Sequence, residues 1–140
     1  MDASNAVVDT DILIGLLRNN KDFVAFLSEI EEKNCALSTT SINAFELYYG
    51  AHKSRQSEQN LRATRKLLRR LILLPLEPKS AEIAGRIYAE LEAKGHPIGL
   101  RDTLIGAIAV TKGFSLITGN AEHFRKIAGL KILTPSNPHE

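Results

Sequence analysis

The sequence AVVDTDIL, residues 6–13, joins a short apolar run to two aspartates and then to the first apolar residues of a helical pattern. An apolar run followed by helical spacing predicts a buried strand that leads directly into a helix. Asp9 stands at the junction, where an isolated carboxylate against a core would be costly to bury. A carboxylate in this position therefore predicts a paired group or a metal ion beside it.

Strand and helix signals continue to alternate along the chain. The predicted strands are residues 6–9, 35–38, 71–74, 114–118 and 132–133, and the predicted helices are 12–17, 23–33, 42–52, 56–70, 80–94 and 100–112. Short apolar strands separated by helices need crossover connections, which place the strands in parallel and cover both faces of the sheet. We therefore expect an α/β protein with a short, mainly parallel central sheet flanked by helices.

Composition limits the classes of protein that fit. The 140 residues are 44% hydrophobic and 24% charged, which is typical of one globular domain with a single core. The formal net charge of +2 is small, so any surface that binds nucleic acid has to be local. Without a signal segment or an apolar stretch that could span a membrane, we expect a cytoplasmic protein. The only cysteine, Cys35, is expected to be buried and not catalytic.

Polar residues at the ends of predicted strands indicate a site. Asp9 ends the first strand, and Asn120 follows Thr118, the last residue of another. In open α/β sheets the functional crevice lies at the carboxyl ends of the strands, where the strand order reverses. Both residues are therefore expected at one crevice.

Two further acids lie on predicted helices. Asp102 is in a first turn, where the helix dipole stabilises an anion, and Gly106 and Ala109 are expected to leave room beside it. Glu46 shares a stripe with Phe45 and Tyr49, so its carboxylate is expected to emerge from an apolar face. These acids lack an equally placed basic partner, which favours a divalent cation.

Each of these residues also has an ordinary explanation. Asp9 could belong to a helix start that Thr10 or Asp11 caps, Asn120 could be a turn residue, and the other two acids could be a dipole partner and a solvent-reaching side chain. One common site explains all of them together. The histidines show no metal-ligand spacing and are interpreted as surface or turn residues; they are His52, His96, His123 and His139.

Four motifs together resemble a known family. They are VVDTDILI (7–14), INAFELYYGA (42–51), PIGLRDTLIGA (97–107) and ITGNAEHF (117–124). As a set they are similar to the successive motifs of PIN-domain ribonucleases, specifically the VapC-like toxins of prokaryotic toxin–antitoxin pairs. The resemblance implies a PIN-like three-layer fold over residues 1–140, with a polar tail from about residue 134.

The resemblance also implies an activity. It implies a Mg²⁺- or Mn²⁺-dependent endoribonuclease whose acidic centre is Asp9, Glu46 and Asp102, with Asn120 as a further metal residue. Many relatives carry an aspartate at the position of Asn120, and the neutral amide lowers the negative charge of the site. A small antitoxin that inhibits the enzyme, and pairing of two toxin chains, are implied as well.

The chemistry is consistent with that resemblance. Hard oxygen ligands suit Mg²⁺ or Mn²⁺, and such an ion can polarise a phosphate and activate water, so phosphodiester hydrolysis is the natural reaction. One of the metal-binding carboxylates could accept the proton of the nucleophile. Thr10, Asp11 and Thr118 are candidates to orient the metal-binding residues.

Basic residues are needed to hold RNA near an acidic crevice. A predicted basic helix carries Arg62, Arg65, Lys66 and Arg69, and its alternative role is a solvated face. Arg101 is a separate candidate for bidentate contact with phosphate.

Two rival functions and one structural alternative stay open. The Asp9-Thr10-Asp11 triplet also resembles the nucleophile motif of haloacid-dehalogenase-like phosphatases, and a PIN module without catalysis would bind a nucleic acid or partner only. An antitoxin groove is expected around the apolar residues Leu16, Leu17, Leu47 and Tyr48, unless these belong to the core.

Overall fold

Five parallel strands form the centre of the computed structural model, which describes residues 5–135. The strands are β1 (Asn5–Val8), β2 (Ala36–Thr40), β3 (Ile72–Leu74), β4 (Ser115–Ile117) and β5 (Ile132–Leu133). The helices are α1 (Thr10–Leu17), α2 (Lys21–Glu32), α3 (Ser41–Lys53), α4 (Ser57–Leu68), α5 (Pro78–Ala93), α6 (Leu100–Lys112) and α7 (Ala121–Phe124). The α/β prediction is confirmed, and every strand pair is parallel.

The strand order β3-β2-β1-β4-β5 places the first strand at the centre. The chain builds outward through β2 and β3, and then crosses over to add β4 and β5 on the other side. Val7 pairs with Ser38 on one side and with Leu116 on the other. The order reverses between β1 and β4, which is where ligands bind in sheets of this kind.

Side-chain caps begin the two helices that border this reversal. Asp9 itself caps α1 by accepting a 2.8 Å hydrogen bond from the Thr10 amide, so the prediction of Thr10 or Asp11 as the cap was wrong. Thr40 caps α3 in a reciprocal pair with Asn43. The hydroxyl of Thr39, one residue earlier, instead donates to the Val8 carbonyl at 2.8 Å.

Successive residues of β1 point to opposite faces of the sheet. On one face, Val7 packs with Leu116 against α5 and α6; we call this the closed face. On the other face, Val8 packs with Ile117 against α1, α2 and α3; we call this the open face. The protein therefore has two apolar layers that share one thin sheet.

Several predicted boundaries differ from the structure. Cys35 is buried as expected, but it precedes β2, which runs on to Thr40. The helix α7 was not predicted, because four residues are too few to show a helical period. The end of the polar tail, residues 136–140 with His139, lies outside the described residues. Between residues 5 and 135, no helix has the length and apolar character needed to cross a bilayer.

Candidate active site

Three carboxylates from separate elements meet around one guanidinium. Asp9 follows β1 and is 2% exposed, Asp102 lies in the first turn of α6 and is 6% exposed, and Glu46 lies in the middle of α3. Arg101 Nη2 lies 2.9 Å from both Asp9 Oδ1 and Glu46 Oε1, and its Nη1 lies 2.5 Å from Asp102 Oδ1. The three predicted acids are therefore brought together at the edge where the strand order reverses.

Neutral polar groups hold Asp9 in place. The Thr118 hydroxyl, at the end of β4, donates to Asp9 Oδ2 at 2.7 Å, and the Asn43 side-chain amide donates to Oδ1 at 3.1 Å. Thr118 was predicted to have this orienting role. Asn43 was missed, although it lies one helical turn before Glu46 on α3 and is completely buried. Both carboxylate oxygens of Asp9 are thus fixed before any ligand arrives.

Glu46 is held by two donors. The Thr10 hydroxyl donates to Oε1, and Arg101 Nε donates to Oε2. Burial alone would raise the pKa of Glu46, but the bonds from Arg101 and Thr10 outweigh it, so this pKa lies below its usual range. Burial likewise would lower the pKa of Arg101, but the bonds and charges of Glu46 and Asp9 raise it above its ordinary value. The pair is therefore fully ionised at neutral pH.

The helix face that carries Glu46 is apolar but not buried. Phe45 and Tyr49 are 66% and 55% exposed, and their rings stack with centroids 6.1 Å apart. The Lys53 ammonium lies 5.0 Å from the Tyr49 ring centre, within cation–π distance. Glu46 therefore borders an exposed aromatic stripe.

Asp102 connects the site to α7. His123 Nδ1 lies 3.0 Å from Asp102 Oδ2, and the Asn120 side-chain nitrogen lies 3.3 Å from the same imidazole nitrogen. His123 was predicted only as a surface or turn residue; it is half exposed, but it contacts the acidic centre. Asn120 lies beside His123 at the border of that centre, and its role as a metal residue stays a prediction.

The space predicted beside Asp102 is filled. A Cβ atom built at Gly106 would collide with Ile127 and would also contact Leu130. The small residues of α6 therefore permit close packing by the segment after α7. At Gly106, the room that was expected beside the Asp102 carboxylate is taken up by Ile127.

Asp11 joins two segments that border the site. Its carboxylate accepts hydrogen bonds from the Gly119 amide at 2.9 Å and from the Ile12 amide at 2.8 Å. Burial and the nearby charge of Asp9 raise the pKa of Asp11 above its ordinary value. A Cβ at Gly119 would come within 2.7 Å of Asp11 Oδ2, so a larger residue there would require the Asp11 carboxylate to shift. Asp11 therefore ties the loop after β4 to α1.

The predicted basic residues fall into two groups. Arg101 lies among the carboxylates, whereas Arg62, Arg65, Lys66 and Arg69 lie on or at the end of α4. Within residues 5–135, none of those four forms an ion pair with the acidic centre. The basic side chains of α4 are therefore not paired with the carboxylates, although α4 residues line the same cleft as Glu46.

The donor set was tested for its fit to a divalent cation. Carboxylate oxygens are the ligands that Mg²⁺ and Mn²⁺ prefer, and here three carboxylates direct oxygens at one cationic group. Among the described residues, no three acidic, imidazole or thiol groups are arranged to share an ion, because Arg101 lies between the carboxylates. The three carboxylates thus suit a cation in charge and chemistry, and the cationic group that they contact in this structure is the Arg101 guanidinium.

Two clefts open on the open face. One of about 370 Å³ lies between α1, α2 and α4, and its lining includes Leu16, Leu17, Val24, Leu67 and Leu71. The other, of about 300 Å³, includes Leu17, Glu46 and Leu47. We call the first the α4 groove.

The structure places the residues expected around an antitoxin groove in different surroundings. Leu16 and Leu17 line the α4 groove, but Leu47 is 4% exposed and belongs to the core, and Tyr48 lines neither cleft. Leu47 faces inward because α3 packs its apolar side on the sheet and α1. The α4 groove instead takes its far wall from α4, which the sequence pattern had suggested only as a basic helix.

Comparison with known proteins identifies the family. Residues 6–130 match the PIN domain. Ribonuclease VapC2 of Haemophilus influenzae is 34% identical over 125 residues, covering 89% of this chain and 93% of that protein. The tRNA(fMet)-specific endonuclease VapC of Salmonella typhimurium is 32% identical over 126 residues, covering 90% of this chain and 94% of that protein.

A solved structure gives the same result. VapBC2 from Rickettsia felis, bound to a DNA fragment from its promoter, contains a chain that superposes with a TM-score of 0.86 at 29% identity. The superposition covers 93% of this chain and 98% of that one. The sheet order, the carboxylate centre and these similarities agree, and the chain belongs to the PIN-domain family, within its VapC ribonuclease group.

Proposed function

We propose that this protein is a metal-dependent endoribonuclease that hydrolyses RNA phosphodiester bonds, and that it is the toxin of a toxin–antitoxin pair in the cytoplasm. The observation that carries the proposal is the convergence of Asp9, Glu46 and Asp102 at the reversal of strand order. The similarity to VapC ribonucleases over about nine-tenths of the chain supports it.

The chain's own residues define the chemistry. Asp9, Glu46 and Asp102 would hold a Mg²⁺ or Mn²⁺ ion, with Thr118 and Asn43 keeping the Asp9 carboxylate oriented. A divalent ion in such a site polarises the scissile phosphate and lowers the pKa of the attacking water. His123 holds Asp102 from its other oxygen, so Asp102 is directed toward the same centre as Asp9.

The substrate is RNA. Two of the relatives are named tRNA(fMet)-specific endonucleases, so initiator tRNA is the first substrate to test. Arg101 at the centre is proposed to contact the phosphate of the cleaved nucleotide, and Asn120 at its border is still proposed as a further metal residue. The cations of α4 are proposed to follow the RNA backbone further away.

The test compares RNA cleavage in Mg²⁺, Mn²⁺ and EDTA for the wild type and two isosteric variants. Asp9→Asn and Asp102→Asn should each reduce turnover by at least roughly tenfold, because a ligand charge is lost with little change of shape. Glu82→Gln, an exposed acid on α5, is the matched control and should retain the wild-type rate. Equal rates in chelator, or wild-type rates in both site variants, would contradict the proposal.

Of the two alternative functions, the phosphatase is excluded and the PIN module without catalysis is still to be tested. The PIN-domain match removes the phosphatase interpretation, which rested on the Asp9-Thr10-Asp11 triplet alone. A PIN module without catalysis would bind RNA or a partner but give no metal-dependent cleavage of any RNA tested. The cleavage experiment therefore separates it from the enzyme.

The partner is proposed to be a small antitoxin. Solved relatives from Rickettsia felis, Salmonella typhimurium and Haemophilus influenzae are VapBC assemblies. The α4 groove offers an apolar floor with Lys66 and Arg70 on one wall and Glu31 on the other, which suits an amphipathic segment. Co-purification with the product of an adjacent small gene tests this directly.

Pairing of two copies stays a prediction. The exposed rings of Phe45 and Tyr49 are the apolar surface that such a pair would most readily cover. Sedimentation equilibrium of the wild type and of Tyr49→Arg tests it, since a charge on this stripe should favour the monomer.

A further inference from the structure

We propose that Arg101 is an intramolecular counter-cation that occupies the metal position of the free protein and is displaced when a divalent ion binds. This inference rests on the proposed function, because it assumes that Asp9, Glu46 and Asp102 hold the ion. It adds a competition within the chain, in which the side chain beside a metal-binding residue sets the apparent affinity of the site for metal.

The first observation is that every oxygen of the three carboxylates already has a hydrogen-bond partner. Arg101 engages Asp9 Oδ1, both oxygens of Glu46 and Asp102 Oδ1. The remaining two oxygens accept from neighbours, Asp9 Oδ2 from Thr118 and Asp102 Oδ2 from His123. The oxygens that face the centre are thus the ones that the guanidinium uses.

The second observation is the geometry of these contacts. The Arg101 nitrogens lie between 2.5 and 2.9 Å from the carboxylate oxygens, so the planar guanidinium fills the space between them. A Mg²⁺ ion needs the same lone pairs at about 2.0–2.1 Å. The Arg101 guanidinium and the metal ion cannot use the same oxygen lone pairs at the same time. Binding of one cation to the carboxylates therefore excludes the other.

The third observation is that the Arg101 side chain can move from the site into solvent. This side chain is 36% exposed, whereas the Asp9 and Asp102 carboxylates are buried and have further partners in Thr118, Asn43 and His123. The long arginine stem can therefore swing toward solvent while Thr118, Asn43 and His123 keep the carboxylates converging. A released guanidinium at the mouth of the site would be next to the incoming phosphate, which it can bind through two parallel hydrogen bonds.

The experiment measures Mn²⁺ binding to chelator-treated protein by titration calorimetry, without RNA. Arg101→Ala should bind Mn²⁺ at least about tenfold more tightly than the wild type. In the wild type, only the molecules in which Arg101 has left the site can bind the ion, and this lowers the apparent affinity for Mn²⁺. Arg101→Lys should lie between the two, since an ammonium keeps the charge but cannot bridge three carboxylates. Arg86→Ala on α5 removes the same charge from an exposed position elsewhere and should match the wild type.

Thermal melting shows whether the variants are folded. In EDTA, Arg101→Ala should melt below the wild type, because its carboxylates have lost their counter-cation, and Mn²⁺ should raise its melting temperature by more than it raises that of the wild type. A parallel ¹⁵N spectrum of the wild type should show the Arg101 Nε–H signal in EDTA and its shift on addition of diamagnetic Mg²⁺.

The outcomes separate this inference from the proposed function. Equal Mn²⁺ affinities in the wild type and Arg101→Ala, or an Arg101→Lys affinity equal to that of the wild type, would overturn the displacement while leaving the metal site intact. Absence of Mn²⁺ binding in all of these proteins would overturn the metal site itself, and the inference with it. An Arg101 Nε–H signal that does not respond to Mg²⁺ would also contradict displacement.

Discussion

The closed and open faces of the sheet are both covered by helices, but only one is fully packed. On the closed face, Ile105, Ala107 and Ala109 of α6 are completely buried, and so is Phe124 of α7. On the open face, α1 and α4 leave apolar side chains partly exposed around a groove of about 370 Å³. From this difference we expect the closed face to contribute more to the stability of the fold, and the open face to receive the proposed antitoxin.

The largest expected effect tests the closed face. Ile105→Ala should lower the free energy of unfolding by about 3 kcal/mol, because a fully buried side chain leaves a cavity that α5 and the sheet cannot fill. Leu67→Ala in the α4 groove should cost only about 1 kcal/mol, because Leu67 is partly exposed. Urea unfolding followed by circular dichroism gives both values, and equal losses would show that the two faces do not differ.

The second prediction tests the open face as a binding surface. Leu67→Asp should weaken antitoxin binding by at least about thirtyfold, or ~2 kcal/mol, because a complex would bury an unpaired carboxylate in the groove. The cleavage rate of the isolated enzyme should be unchanged, since Leu67 is not in the acidic centre. Wild-type affinity measured by surface plasmon resonance would place the antitoxin elsewhere.

The third prediction asks whether α4 also holds RNA. In an Asp9→Asn background, the double change Arg65→Glu and Arg69→Glu should weaken RNA binding by about tenfold and flatten its dependence on salt, because fewer counterions are released. Binding to one labelled RNA across a salt series measures this, with Arg86→Glu as the charge-matched control on α5. Unchanged affinity and slope would mean that α4 is a solvated face.

A pair of glycines compares how tightly the two faces are packed. Gly106→Ala should destabilise the protein by about 1 kcal/mol, since the new methyl group meets the buried Ile127 on the closed face. Gly15→Ala on α1 meets the ring of Phe23, which is only partly buried and can move aside, so the gain in helix propensity should nearly offset the clash. A loss from Gly15→Ala as large as that from Gly106→Ala would show that α1 and α2 are packed as rigidly as the closed face.

The smallest effect concerns an ion pair on the closed side. Lys112 Nζ lies 3.3 Å from Glu77 Oε1, with both side chains well exposed. Lys112→Ala should change the unfolding free energy by no more than about 0.5 kcal/mol, because water and salt screen such pairs. A larger loss in thermal unfolding would mean that the connection between α5 and α6 depends on charge as well as on apolar contact.

Local signals were enough to predict the sheet and the three acids. The apolar run before Asp9 and the helical spacing after it determine β1 and α1, and the position of Asp9 at that junction follows from the chain order alone. Glu46 and Asp102 could be selected because each stood beside apolar residues, but the expectation that the acids lack a basic partner was wrong, since Arg101 pairs with Asp9, Glu46 and Asp102. The carboxyl-end rule for parallel sheets then brought them to one edge.

The partners of those acids could not be predicted in the same way. In the sequence, Asn43 cannot be distinguished from an ordinary residue of a first helical turn. Only the packing of α3 against β1 directs its side-chain amide to Asp9. His123 lies on a four-residue helix whose direction depends on how Gly106 allows the following segment to approach. The exposure of Phe45 depends on which side of α3 is covered by α1 and α4, and helical periodicity does not assign that side.

The double use of Asp9 has a practical consequence for anyone who prepares an inactive form. Its side chain begins α1, and α1 is one wall of the α4 groove, so truncation at this position should loosen the groove proposed for the antitoxin as well as remove a proposed metal-binding carboxylate. Glu46 sits in the middle of α3 and caps nothing. Glu46→Gln is therefore the better choice for an inactive form that still binds the antitoxin. A selection for variants that are no longer toxic should yield changes at Asp9 that also weaken antitoxin binding.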